Sequence, residues 1–127
     1  MHIKILDVKN IQDEIKVKFE TSIGTGAGTW NGELPTLGDC TDIEIDIDDN
    51  FDWGKNIITS NKDTCMIAIE NNLFRFVAQV ISYEDDGCLT IKLGDSIIFL
   101  DVDNVPSAIE GWIEGKAKSI RLYPTNL

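Results

Sequence analysis

Residues 72–102 read NLFRFVAQVISYEDDGCLTIKLGDSIIFLDV, and this stretch decides the fold. It holds three strand-like apolar runs joined by two short turns, Glu84-Asp85-Asp86-Gly87 and Gly94-Asp95. Each turn offers a glycine for the positive φ that a tight hairpin needs and that other residues adopt only at a cost. The spacing predicts an antiparallel meander. Its first strand, residues 73–83, would reach about 35 Å if fully extended, long enough to bend or to cross between two sheets. Residues 97–100, IIFL, are apolar on both faces and are expected at the centre of a sheet.

Upstream, residues 2–8 form a first apolar run, with His2 at its frayed start, and residues 10–13 are polar enough to turn. Residues 14–20 then alternate strictly. Ile15, Val17 and Phe19 face one way and Glu14, Lys16, Lys18 and Glu20 the other, the period of a half-buried strand. Residues 42–48, DIEIDID, alternate just as cleanly, with Ile43, Ile45 and Ile47 inward. Residues 57–58 make a short strand and residues 64–70, TCMIAIE, one buried on both faces. Downstream, residues 104–111 contain Pro106 and read as a loop with one helical turn. Residues 111–113 and 117–123 read as a last hairpin turning at 114–116 and ended by Pro124.

No internal repeat and no ten-residue segment of helical periodicity interrupts these strands. The fold expected is therefore all-β: a small antiparallel β-barrel of about eight or nine short strands. An oligonucleotide-fold-like (OB-like) barrel is one version, although its usual helix is not visible, and a two-sheet β-sandwich is the runner-up. A chain of 127 residues makes one domain, residues 1–127, with enough buried surface to need neither metal nor disulfide.

The chain carries 22 acids against 11 lysines and arginines, a net charge of -11. Nucleic acid and anionic membranes repel such a surface unless a basic patch exists, and the sequence has none. A basic protein partner is not excluded in this way. The ten aromatic residues mostly share faces with aliphatic ones, which suits core packing better than a base-stacking platform. The first ten residues lack a secretory h-region, and no apolar run approaches a membrane span, so a cytoplasmic location is expected. Cys40, Cys65 and Cys88 form no CxxC pair; they read as reduced, at least partly buried small hydrophobes rather than zinc ligands.

The glycine-rich residues 24–28, GTGAG, fail as a dinucleotide fingerprint. Thr29 stands where the pattern needs a third small residue, and residues 30–35 cannot open the helix whose N-terminus would hold a pyrophosphate. The stretch of residues 21–38 is read instead as a flexible or bulged connection, with Trp30 pinning it to the barrel end. Residues 46–57 fail as a calcium loop, because Phe51 sits where glycine is required and Ile57 where a bidentate glutamate is required. Phe51 and Trp53 are expected to fold back on the core. One histidine, and no GxSxG, HExxH or P-loop motif, leave no triad or metal centre to propose. A general acid needs a carboxyl whose pKa an apolar pocket raises, and the conspicuous acids are expected on solvated strand faces and turns instead. Neither an enzyme nor a cofactor is expected.

What remains distinctive is residues 39–52, with seven acids (Asp39, Asp42, Glu44, Asp46, Asp48, Asp49 and Asp52) and no base. Like charges about 7 Å apart along one strand face repel one another. Lys16 and Lys18 lying across the sheet from Glu44 and Asp46 would answer this repulsion internally; a cationic partner would answer it externally. The leading functional expectation is a non-catalytic acidic protein that binds a basic protein, in the manner of an immunity protein or antitoxin inhibiting a cationic bacterial effector. Asp42, Glu44, Asp46, Asp48, Asp49 and Asp52 would supply the field and Trp53 an anchor. The alternatives are a small-molecule-binding β-barrel and an assembly module that pairs edge strands into a homodimer.

Overall fold

The computed structural model describes residues 1–107 and 109–125. Among them are twelve strands and no helix: β1 (His2–Ile11), β2 (Glu14–Thr21), β3 (Gly24–Trp30), β4 (Cys40–Asp46), β5 (Asn50–Asp52), β6 (Ile57–Thr59), β7 (Met66–Glu70), β8 (Leu73–Tyr83), β9 (Cys88–Leu93), β10 (Ser96–Asp103), β11 (Trp112–Ala117) and β12 (Arg121–Pro124). Among the described residues no helix is long and apolar enough to cross a membrane.

Five strands close a barrel. β1 pairs antiparallel with β2 and with β4, β2 with β3, and β4 with β12, while β12 runs parallel beside β3. The circuit β1–β2–β3–β12–β4 is an OB-like Greek-key order. A loop of residues 31–39 stands where the helix would be. Ile3, Ile5, Val17, Phe19, Ile43, Ile45 and Leu122 fill the interior, as the alternation of their strands requires. Gln12 and Asp13 turn β1 into β2 with φ of 52° and 65°, the left-handed pair that matches hairpin twist.

The glycine-rich segment is not a flexible connection. It is β3, paired along its whole length with β2. Its glycines serve close approach: a Cβ at Gly26 would stand 2.6 Å from Cζ of Phe19, the residue directly across on β2. At Gly24, with φ of 137°, a Cβ would collide with the Ile67 carbonyl, where β3 touches β7 and the sheet continues beyond the barrel. Trp30 does anchor the end of β3, buried with its indole N–H donating to the Glu33 carbonyl at 2.8 Å.

The part of the sheet beyond the barrel contains the meander, whose turns fall at Gly87 (φ 93°) and Gly94 (φ 63°), as the sequence indicates. β8 crosses between neighbours as its length predicts. Its first half pairs with β7 and its second with β9, with a bulge between Val80 and Ser82, and β11 runs beside residues 74–79. The expected last hairpin does not form. β11 passes straight through residues 114–116 and pairs with β6 and β8, and β12 returns to the barrel. β3 and β5 fall where no strand was expected, and the total is twelve against the eight or nine expected. The helical turn expected within residues 104–111 includes residue 108, which lies outside the described residues.

Candidate functional site

β4 presents Ile43 and Ile45 inward, almost wholly buried like Ile47 just past its end, so Asp42, Glu44 and Asp46 are forced to the outer face. The neighbours of β4 are β1 and β12, not β2. Lys16 and Lys18 therefore do not lie across from Glu44 and Asp46. Lys16 pairs instead with Glu14 at 2.9 Å and reaches the Thr29 hydroxyl at 2.7 Å. The residues opposite Asp42, Glu44 and Asp46 are His2, Tyr123 and Arg121.

This register answers some carboxylates and leaves others. His2 is not frayed: it pairs in register with Asp42, its Nδ1 3.0 Å from the carboxylate. Arg121 sits 3.2 Å from Asp48. Asp49 accepts the Lys118 backbone N–H at 2.7 Å, and Asp52 accepts from Asn104 at 2.7 Å and pairs with Lys55 at 3.1 Å. Those contacts hold the Asp52 carboxyl below its usual range, Asn104 contributing most and Lys55 next. Asp46 moves the other way: partial burial raises its pKa, and the adjacent Asp48 raises it further against the opposing pull of Arg121. Among the described residues, Glu44 and Asp46 have no ion-pair partner within 4.0 Å. Trp53 is half-buried against the core, as expected, and Phe51 fully so.

Glu44 and Asp46 face a groove of about 830 Å³ between β4 and β10. Asp42 and Asp95 also line it, with Tyr123, Ile97 and Phe99. No lysine or arginine lines the groove. Its ammonium group, the Met1 amine, is already engaged by the Ile43 carbonyl at 2.8 Å and Asp95 at 3.6 Å. Of the residues marked by the acidic run, the groove brings together Asp42, Glu44 and Asp46. Asp48, Asp49, Asp52 and Trp53 do not line it. No known protein family, curated protein or solved structure matches the chain.

The far wall is where the sequence reading is corrected. Residues 97–100 are not at the centre of a sheet. Ile97 is 51% exposed and Phe99 65% exposed. β9 pairs with one edge of β10 over Ser96–Asp101, but β5 pairs with the other only at Asp101–Asp103. An apolar run on both faces signals a buried strand only when both faces are covered, and here the outer face is bare. The cysteines also differ from expectation in one case: Cys40 is exposed, while Cys65 and Cys88 are half-buried, and all three are free. Among the described residues no cluster of side chains could hold a metal ion.

Proposed function

We propose that this is a non-catalytic acidic protein that docks a basic protein surface through the groove between β4 and β10. The observation carrying the proposal is the composition of that groove: Asp42, Glu44, Asp46 and Asp95 wall it, no lysine or arginine lines it, and Phe99 and Tyr123 stand exposed within it. Glu44 and Asp46, which have no ion-pair partner among the described residues, speed encounter with a cationic surface, and desolvated aromatic side chains supply the short-range attachment. An immunity-like or antitoxin-like inhibitor of a cationic bacterial effector, working in the cytoplasm, is the biological role this reading favours. A small molecule held inside the barrel draws no support from an interior that Phe19, Ile43, Ile45 and Leu122 fill.

The test is capture from the source cell at low salt by the wild-type protein and by the double reversal Glu44→Lys/Asp46→Lys. A basic protein retained by the first, released by salt, and lost from the second is the expected result. Equal retention by both would refute the groove as the docking site.

A further inference from the structure

The open side of β10 has a backbone as well as side chains. Val102 N–H donates to the Gly87 carbonyl at 2.9 Å, toward β9, and Trp53 N–H donates to the Asp103 carbonyl at 2.9 Å, toward β5. Backbone groups in a strand point alternately to its two edges. The N–H and C=O of Ile97 and Phe99 therefore point the same way as those of Asp103, into the groove. Among the described residues no strand pairs with residues 96–100 on that side. Exposed pairs of this kind are the template for strand addition.

We infer that the β10 edge takes up an extended cationic segment of a partner protein as an added strand. The inference rests on the reading of a basic partner and specifies how that partner is held. The free edge, residues 96–100, is about 17 Å long, enough for about five residues of an added strand. Side chains of such a strand alternate between two faces. The inward row would meet Ile45 and Ile98, which line the floor of the groove. The outward row would lie between Ile97 and Phe99 on one wall and Glu44 and Tyr123 on the other. Lysine or arginine fits that outward row. Its aliphatic stem covers Ile97, its charged head reaches Glu44, Asp46 or Asp95, and the rings of Phe99 and Tyr123 favour a cation over their faces. Lys92 is the partner of Ile97 on β9, on the side away from the groove, so it does not oppose this. The segment is thus one that alternates cationic and apolar residues.

The probe is a dye-labelled synthetic peptide of about eight residues alternating lysine and valine, followed by fluorescence anisotropy at low salt. A control peptide has the same sequence with backbone N-methyl groups on its four central residues, which keeps the side chains and charge but removes the N–H donors that strand pairing needs. On the protein, Ile97→Pro removes one N–H from the open edge, a position where a strand tolerates proline. The expected result is at least tenfold tighter binding of the unmodified peptide than of the methylated one, and a similar loss with the Ile97→Pro protein. Equal binding of both peptides would overturn strand addition while leaving salt-sensitive docking of a basic protein standing. So would failure of the unmodified peptide to bind while the basic partner is still captured. A dimer at tens of micromolar that dissociates in Ile97→Pro would also overturn it, because the edge would then belong to a second copy of the chain.

Discussion

Two phenylalanines lie across from two glycines in this fold, and the pairs predict the same response. Phe19 on β2 is paired with Gly26 on β3, and Phe76 on β8 with Gly115 on β11. An alanine Cβ at 26 would meet Phe19 Cζ at 2.6 Å and both Cε atoms at 3.1 Å; at 115 it would meet Phe76 Cζ at 2.6 Å, with the Cε atoms at 3.1 and 3.2 Å. Carbon atoms rest about 3.5–4.0 Å apart, so each substitution overlaps the ring by about 1 Å. Both rings are 0% exposed and cannot swing into solvent. Overpacking of this kind costs about 1–3 kcal/mol. Replacing glycine also restricts the unfolded chain, which returns about 0.4–1 kcal/mol. Gly26→Ala and Gly115→Ala should each destabilise the protein by about 1–2 kcal/mol. In urea this lowers the unfolding midpoint by about 0.5–1 M with the slope unchanged. Phe19→Leu, damaging alone, should be less damaging in the Gly26→Ala background, with a favourable coupling of about 1 kcal/mol in the double-mutant cycle. A Gly26→Ala protein as stable as wild type would refute the steric argument, because chain entropy would then have outweighed the contact.

Three further outcomes follow from the same geometry. In a carboxyl-carbon NMR titration Asp46 should titrate above the ordinary aspartate range and Asp52 below it; the reverse order would show that burial and Asp48 do not govern Asp46. A raised carboxyl pKa favours the folded state at low pH, and this is lost as pH rises through the unfolded and then the folded value; a lowered one favours it above the unfolded value and loses this as pH falls through the folded one. Asp46→Asn should therefore leave neutral-pH stability equal or slightly higher, read by thermal unfolding, whereas Asp52→Asn should lower it; loss of stability in Asp46→Asn would contradict the assignment. Iodoacetamide should modify exposed Cys40 in the native protein before Cys65 or Cys88, followed by mass spectrometry, and simultaneous modification of all three would indicate local opening at β7 and β9.

The meander and the alternating strands were legible because each carries a local signal. Phe19, Ile43 and Ile45 face the core at the period their neighbours announce, and Gly87 and Gly94 mark turns whose φ only glycine adopts freely. β3 was not legible. Residues 24–28 have no alternation of apolar and polar side chains, and what requires glycine at positions 26 and 28 is the bulk of Phe19 and of Ile120, which are brought there by other parts of the chain. The acidic wall of the groove was visible in residues 42–46, but its neighbours were not, because register set by β1 and β12 places His2 and Arg121 there instead of Lys16 and Lys18. The apolar wall was hidden more thoroughly. Residues 97–100 have the composition of a buried strand, but nothing packs over Ile97 and Phe99, and their edge is open because β5 pairs only from Asp101 onward.

The two walls belong together for a physical reason. An exposed strand edge with Ile97 and Phe99 beside it is a site at which identical chains would pair. Charged side chains at an edge suppress such pairing, and Asp95, Glu44 and Asp46 carry the same sign in every copy. Bringing two copies together at this edge doubles an uncompensated negative field. Bringing in a lysine-bearing segment cancels it. The same carboxylates thus select against the chain's own edge and for a cationic one, so salt acts in opposite directions on the two processes. Screening weakens the attraction to a basic segment and weakens the repulsion between copies. A surface whose acids served only to keep the protein in solution would show the second effect without the first.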